Sequence, residues 1–325
     1  MFYARSLKSI VDDMQKTSPT IFLGVPLMYD KMYRRILAGI REKGLAKAII
    51  SPMKGIATGL ELFGVDVRKN LFAEVHAKFG GAIRLFIAGG AAPDPEVSKG
   101  LRALGFKVLQ GYGLTETSPI LTVNREFNLK DEAAGVPLPS VQLKIANPDA
   151  SGHGEIVAKG PSIMGGYYKN ETATNEVLQD GWFYTGDIGF FDEDGFLHIN
   201  GRKKNVIVAR NGENVYPEEI EDKVNKIPFV LESVIYGGKD EKNDEEIRVM
   251  IVPNAETFIS YAETHKIEVT TQLIEKILNE EIRKLNTQLL GHQQIKKIKV
   301  RDKEFDKTTT QKIKRYLVQQ EDSTH

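Results

Sequence analysis

The stretch from Tyr184 to Pro217 contains two side chains that could together bind a polyol. Asp187 follows a Thr-Gly step and precedes an Ile-Gly step, which places its carboxylate on tight backbone rather than on a helix face. A carboxylate can accept two hydroxyl hydrogen bonds, and Arg202 offers several donors further along the chain. A ribose would suit both groups. The alternative interpretation is a turn carboxylate and a surface arginine that share no ligand.

A second stretch, QGYGLTETSP, carries groups suited to a nucleotide. Gly111 and Gly113 flank Tyr112 and would let a flat ligand approach the backbone, while the tyrosine ring offers a stacking face. The hydroxyl of Thr115 suits a phosphate oxygen, and the carboxylate of Glu116 suits Mg²⁺. The alternative is a strand-to-loop turn whose polar residues are incidental.

Two further stretches are, on their own, weaker indications of a functional site. The turn GGAAP, residues 89–93, follows an apolar run, and such a glycine pair serves packing more often than ligand contact. The run DKTTTQKIKR, residues 306–315, offers a lysine that could bring a point charge to an anionic transition state. A solvated basic face is the alternative there.

Composition excludes several classes of function. The 325 residues include no cysteine, which rules out disulfides and thiolate metal sites, and the six histidines lack the spacing of zinc ligands, which argues against a zinc site. The 44 basic and 44 acidic residues balance, which gives no sign of nucleic-acid binding. No apolar run approaches the ~20 residues of a membrane span. We expect a cytoplasmic protein, with peripheral membrane contact through a lipid-like substrate left open.

Short apolar runs that alternate with helical patterns predict a parallel α/β sheet, whose ligands gather at the carboxyl ends of the strands. Both glycine-containing turns fall at such ends. The predicted strands are residues 20–25, 83–88 and 107–110, and the predicted helices are residues 7–13, 26–40, 70–79 and 95–104.

The pattern changes twice further along the chain. Between about residues 134 and 199 the helices disappear and short alternating strands predict a small β-barrel or curled sheet. Beyond Gly201 a small α+β domain is predicted, with strands at 206–208, 230–236, 247–252 and 298–301 and helices at 217–224 and 271–289. We therefore predict three parts: 1–133 in a large α/β domain, 134–203 in a β-barrel-like subdomain, and 204–325 in a mobile lid domain.

Taken together and in order, GGAAP, GYGLTETSP, YTGD, GRKKNVIV with NVYPEEIE, and DKTTTQKIKR resemble the adenylate-forming, or AMP-binding, superfamily. This superfamily contains acyl-CoA synthetases, firefly luciferase and the adenylation domains of peptide synthetases. The runs PTIFLGVPLMYDKM and NGENVYPEEIE are similar to bacterial long-chain fatty-acid CoA ligases.

The resemblance implies a two-step reaction. A carboxylic acid, expected to be a long-chain fatty acid, reacts with MgATP to give an acyl adenylate and pyrophosphate, and the thiol of coenzyme A then displaces AMP. Carried over by position, the resemblance assigns the adenine to Gly90, Ala91, Ala92 and Tyr112, phosphate to Thr115, Mg²⁺ to Glu116, the ribose to Asp187 and Arg202, the domain hinge to Lys204, and adenylation to Lys312.

The sequence also departs from the family pattern. The last motif usually has Pro and Gly at the positions of Asp306 and Gln311, and no Ser/Thr/Gly-rich phosphate loop is present in the 325 residues. We therefore expect a C-terminal fragment that releases no pyrophosphate from ATP and palmitate by itself. A fatty acyl-AMP ligase that feeds a carrier protein, or a non-catalytic AMP-binding module, are the alternatives. Chain length of the acid and oligomeric state are left open.

Overall fold

The computed structural model describes residues 1–6, 9–42, 68–240, 243–308 and 312–323. The chain divides into two compact units. The first comprises Met1–Thr185 with Gly189–Ile199, and the second comprises Gly186–Ile188 with Asn200–His325. The predicted three-part division and the hinge at Lys204 stay predictions.

The first unit contains a sheet in the order β1-β2-β3-β4-β5, in which β1, β2 and β3 are parallel. The α/β fold class predicted from the sequence is therefore confirmed. The strands are β1 (Ile21–Gly24), β2 (Leu85–Ala88), β3 (Lys107–Tyr112), β4 (Thr122–Val123) and β5 (Val136–Pro137), and the helices are α1 (Ile10–Thr17), α2 (Pro26–Glu42), α3 (Arg68–Leu71), α4 (Ala73–Lys78) and α5 (Pro95–Ala103).

Two predicted helices of this unit differ from the structure. The first begins later than residue 7 and extends to Thr17, and residues 7 and 8 lie outside the described part of the chain. The continuous helix predicted for residues 70–79 is wrong, because Phe72 leaves helical geometry with φ −107° and ψ 30° and separates α3 from α4.

Aromatic side chains hold the parallel strands to the helices that cover them. Tyr29, on α2, is fully buried, and the single proton of its hydroxyl is shared between the carbonyl oxygens of Ile87, at 2.8 Å, and Phe22, at 3.1 Å. Its ring lies 5.2 Å from that of Phe86, which has no exposed surface. These contacts hold α2 against β1 and β2, and the turn GGAAP follows directly after β2.

A second sheet follows in the order β6-β7-β9-β10, with β8 paired to β9. The strands are β6 (Gln142–Ala146), β7 (Gly154–Lys159), β8 (Leu178–Gln179), β9 (Trp182–Phe191) and β10 (Leu197–Arg202). The prediction that this region lacks helices is wrong, because α6 (Glu171–Val177) lies within it. The side chain of Asn170 accepts from the amide of Ala173 and caps a helix that has no buried residue, so that no apolar periodicity marks it in the sequence.

The second unit has a three-stranded sheet in the order β13-β14-β15 and a two-stranded pair, β11-β12. The elements are β11 (Ile207–Val208), β12 (Asn214–Val215), α7 (Pro217–Val224), β13 (Val230–Lys239), β14 (Glu245–Pro253), α8 (Ala255–His265), α9 (Thr271–Asn286), β15 (Ile295–Val300) and α10 (Arg315–Ser323). The predicted α+β character is confirmed, whereas α8 and α10 were not predicted. The apolar stripe of α9 packs inward through Leu278, Ile282 and Leu285.

Within the described ranges, no helix combines the length and apolar character that a membrane crossing requires.

Candidate nucleotide site

The two glycine turns leave the same edge of the first sheet. β2 and β3 are parallel, and Ala88 pairs with Gln110 at their carboxyl ends. The amide of Gly89 also donates to the carbonyl of Gly24, at the end of β1, over 3.2 Å. Residues 89–93 and residues 111–116 therefore begin side by side, at the edge where α/β sheets bind ligands.

The first of these turns presents small side chains to solvent. Gly90 has φ +86°, a left-handed conformation that favours glycine, and Ala91 and Ala92 are exposed. The turn ends where Asp94 accepts a hydrogen bond from the amide of Glu96 at 2.8 Å and caps α5. A flat ligand could lie against such a surface without displacing a bulky side chain.

The glycines of the second turn are required by close contacts with the backbone of the same chain. A Cβ added at Gly113 would collide with the carbonyl oxygen of Pro119, and one at Gly111 would lie 2.9 Å from that of Thr122. Tyr112, between them, is partly buried against the apolar cluster that includes Leu121. These glycines therefore permit close approach of backbone to backbone, whereas their approach to a ligand stays a prediction.

Thr117, which was not singled out from the sequence, shapes the loop that carries the phosphate and metal candidates. Its hydroxyl is fully buried, accepts from the amide of Leu114 at 2.9 Å, and donates to the carbonyl of Pro119 at 2.7 Å. This arrangement closes a short 3₁₀ turn, Thr115–Thr117. Thr115 is exposed on that turn, and Glu116 is half-buried.

Glu116 is held from a distant part of the sequence. The hydroxyl of Tyr167 donates to its Oε1 at 2.9 Å, and the amide of Met164 donates to its backbone carbonyl at 2.8 Å. Mg²⁺ in nucleotide sites commonly uses one or two protein carboxylates together with phosphates and water, so that a single oriented carboxylate fits this ion. Sequence reasoning missed Tyr167, because 51 positions separate it from Glu116 and no local pattern links the two.

In the second unit, Asp187 and Arg202 lie together. Nε of Arg202 is 2.9 Å from Oδ1 of Asp187, and the Asp187 side chain is 9% exposed against 39% for Arg202. Gly186, with φ +70°, precedes the aspartate on β9, and Arg202 ends β10. Asp187 and Arg202, both predicted from the sequence, therefore form an ion pair. Its carboxylate is buried and its guanidinium is more accessible.

The remaining two candidates also belong to the second unit. Lys204 is exposed on a 3₁₀ turn, Lys203–Asn205, directly after β10. Lys312 is exposed as well. Its carbonyl accepts from the amide of Thr308 at 2.8 Å, and its own amide donates to the hydroxyl of the same threonine at 3.1 Å. Residues 309–311 lie outside the described part of the chain.

Clusters of three or more His, Asp or Glu side chains that could hold a metal by themselves do not occur among the residues that the structure describes. The nucleotide and metal candidates of the first unit share a sheet edge, and the polyol pair, the hinge lysine and the C-terminal lysine fall in the second.

Comparison with known proteins identifies the family of this chain. The model of the AMP-binding enzyme family matches residues 2–168, and that of the AMP-binding enzyme C-terminal domain matches residues 204–321. The chain therefore belongs to the AMP-binding, or adenylate-forming, enzyme family.

Its curated relatives include long-chain fatty-acid CoA ligases. The chain is 37% identical over 220 residues to the long-chain-fatty-acid–CoA ligase of Yersinia pestis, which covers 65% of this chain and 38% of that protein. It is 31% identical over 247 residues to the ligase FadD15 of Mycobacterium bovis, which covers 72% of this chain and 40% of that protein. The chain thus spans about 40% of the length of the curated relatives it matches.

Solved structures of the same superfamily share the fold. ATP-bound MatB from Rhodopseudomonas palustris is 25% identical, with a TM-score of 0.68, and the match covers 97% of this chain and 53% of that one. The o-succinylbenzoate coenzyme A synthetase of Bacillus subtilis, in complex with ATP and magnesium ion, is 23% identical, with a TM-score of 0.69 over 97% of this chain and 54% of that one.

Proposed function

We propose that this chain carries the adenosine-binding part and the C-terminal domain of an acid–thiol ligase. The ligase activates a long-chain fatty acid with ATP to an acyl adenylate and transfers the acyl group to coenzyme A. The observation that carries the proposal is the shared edge of β2 and β3, where a small-residue turn and the Tyr112–Glu116 loop leave parallel strands together. The long-chain fatty-acid CoA ligases among the relatives support the class of acid.

Each group has a role that its surroundings favour. The turn at Gly90 accommodates the adenine face, with the Tyr112 ring available for stacking. Thr115, which is exposed, donates to a phosphate oxygen. Glu116, oriented by Tyr167, would hold Mg²⁺, and the ion would neutralise phosphate charge.

The polyol pair would bind the ribose. The carboxylate of Asp187 accepts hydrogen bonds from ribose hydroxyls, while its pairing with Arg202 balances a charge that is largely removed from water. A charge-assisted hydrogen bond of this type contributes about 1.5–3 kcal/mol, equivalent to roughly 10- to 100-fold in affinity.

Lys312 would supply the cation for the first half-reaction. The attacking carboxylate and the α-phosphate are both anionic, so that a positive charge between them reduces repulsion and stabilises the charge that develops in the transition state. The side chain is exposed on a closed backbone turn, which leaves the ammonium group accessible.

Binding of a stable acyl-adenylate mimic, hexadecanoyl-sulfamoyl-adenosine, tests the proposal by isothermal titration calorimetry of the 325-residue chain. We expect Asp187→Asn to weaken binding by about tenfold or more, because one charge-assisted acceptor is lost. Asp30→Asn is the matched control, since Asp30 pairs with Arg34 on a surface helix. Equal affinities of wild type and Asp187→Asn, or no binding by the wild type, would contradict the proposed site.

The role of Lys312 is tested by separating the half-reactions in an intact ligase that contains this sequence. We expect Lys312→Ala to lower pyrophosphate release by roughly 10²- to 10³-fold and to leave thioester formation from supplied acyl adenylate nearly normal. Equal loss of both steps would contradict the assignment. Replacing coenzyme A by a carrier protein with a phosphopantetheine arm in the second step distinguishes the CoA ligase from a fatty acyl-AMP ligase.

A further inference from the structure

Lys312 lies on a loop that is anchored to one strand, β13, on both of its sides. The loop is closed by an isolated antiparallel bridge between Lys307 and Ile313. The amide of Lys314 also donates to the carbonyl of Asp306 at 2.8 Å. Backbone hydrogen bonds that close a loop restrict its conformation only if both ends of the loop are held in place.

The side before Lys312 is fixed through Glu232 of β13. One carboxylate oxygen of Glu232 accepts from the amide of Phe305 at 2.6 Å, and the other lies 2.7 Å from Nζ of Lys307. The side chain of Glu232 is 13% exposed and that of Lys307 is 25% exposed, so that water screens this pair less than a surface pair.

The side after Lys312 is fixed through Arg315. Its Nη1 donates to the carbonyl of Ile235 on β13 at 3.1 Å, and its Nη2 pairs with Oε2 of Glu221. The second oxygen of Glu221 accepts from the amide of Ile235 at 2.6 Å. Arg315 thus forms a closed network with a strand backbone and a largely buried carboxylate, whose side chain is 12% exposed.

The same guanidinium connects this anchor to the segment that follows Lys204. Nη2 of Arg315 lies 3.6 Å from Oε1 of Glu218, and that oxygen also accepts from Nδ2 of Asn205 at 2.6 Å. Asn205 ends the 3₁₀ turn that contains Lys204. A chain of polar contacts therefore runs from the proposed hinge, through α7, to the base of the Lys312 loop.

We propose that Arg315 is a positioning residue for Lys312, holding the base of its loop against β13 and α7 so that the ammonium group is presented from a fixed backbone. This inference rests on the adenylation role proposed for Lys312. Arg315 is suited to the task because its planar guanidinium can hold a carbonyl and a carboxylate at once, which a lysine ammonium does with less geometric control.

Amide hydrogen exchange of the 325-residue chain measures this anchoring directly, at the amides of Thr308, Lys312 and Lys314. In Arg315→Met, we expect these three amides to exchange about tenfold faster or more, while the central-strand amide of Val249 keeps its protection. Arg315→Lys should restore part of the protection, because the charge on Glu221 stays paired. Arg210→Met is the matched control, since Arg210 pairs with Asp244 on an exposed part of the same unit.

A second variant covers the case in which the single change unfolds the unit. Removing Arg315 leaves the buried Glu221 carboxyl group without its cationic partner, which is costly, whereas the double variant Arg315→Met with Glu221→Gln places a neutral amide there. Unchanged exchange at the three loop amides, in whichever variant keeps Val249 protected, overturns the proposal. So does an equal effect in Arg210→Met.

This measurement uses neither nucleotide nor turnover, so its outcome is independent of the function proposed above. If loop amides exchange faster in Arg315→Met while adenylation is normal in Lys312→Ala, then Arg315 anchors the loop but Lys312 has no catalytic role. Unchanged loop exchange with impaired adenylation in Lys312→Ala would retain the catalytic role and remove the anchor.

Discussion

Glu221 is an acid whose environment changes its titration. Burial raises its pKa to about 7 from an ordinary value of 4.5, against the opposing effects of Arg315 and the Ile235 amide, and the neighbouring charge of Glu218 raises it further. The folded state therefore binds this proton more tightly than the unfolded chain. The resulting stability is fully present below about pH 4.5 and is lost as pH rises through about 7, a contribution of up to about 3 kcal/mol.

We expect Glu221→Gln to remove this component of the pH dependence. The free energy of unfolding, from denaturant titrations at pH 5 and pH 8, should fall less between the two values in the variant than in the wild type. Glu281→Gln serves as the control, because Glu281 pairs with Lys284 on the surface of a helix. A pH dependence in Glu221→Gln as steep as that of the wild type would contradict the raised pKa.

Functional residue types could be predicted from the sequence more readily than the residues they contact. Asp187 and Arg202 were predicted to hold a ribose between them because a carboxylate and a guanidinium both suit hydroxyl groups, and the structure places Nε of Arg202 2.9 Å from Oδ1 of Asp187. The contact between Tyr167 and Glu116 joins residues 51 positions apart and leaves no local pattern. Gly113 was interpreted through a ligand, whereas its own chain already excludes a side chain there. Local sequence cannot reveal such contacts, because they depend on how distant segments fold together.

Strand β1 exposes two of its apolar side chains to solvent. Within the described residues it ends the first sheet, and its side chains include Ile21, 38% exposed, and Leu23, 71% exposed. An apolar strand at the end of a sheet favours pairing with another chain. We therefore expect this strand edge to mediate self-association of the 325-residue chain.

We expect Leu23→Lys to weaken that self-association by about tenfold or more, since burial of a leucine side chain contributes about 1.5–3 kcal/mol. Sedimentation-velocity runs over a range of protein concentrations measure the change. Leu290→Lys is the control, because Leu290 is 62% exposed but lies beside a 3₁₀ turn rather than in a strand. If both variants associate as strongly as the wild type, the edge of β1 does not mediate association.

The elements that the sequence predicted are those with a strong apolar period. Helix α7 was predicted with its observed bounds, because Pro217 occupies its first turn and Ile220 and Val224 face the core. Helix α8 was missed although Asn254 caps it, since only Phe258 and Ala262 are buried along its length. When so few residues of a helix are buried, its apolar pattern in the sequence cannot be distinguished from that of a loop.

The second unit has a hydrophobic core of its own. Val249, Ile251 and Leu278 have no exposed surface, and they belong to a cluster that joins the sheet β13-β14-β15 to α7, α8 and α9. A second cluster, on the other face of β13, includes Val234 and packs Ile313 and Val318 from the C-terminal segment. Both faces of the sheet are therefore covered by residues of the same unit, which is the condition for independent folding of a domain.

Residues 200–325, expressed alone, should consequently fold cooperatively. We expect a single thermal transition by circular dichroism, and Leu278→Ala should lower the free energy of unfolding by about 2–5 kcal/mol because it opens a cavity in a closed core. Leu290→Ala, at an exposed site, should change it by no more than about 0.5 kcal/mol. A gradual transition that neither substitution alters would mean that the unit depends on the rest of the chain, and the Lys312 loop could then not be carried by an autonomous domain.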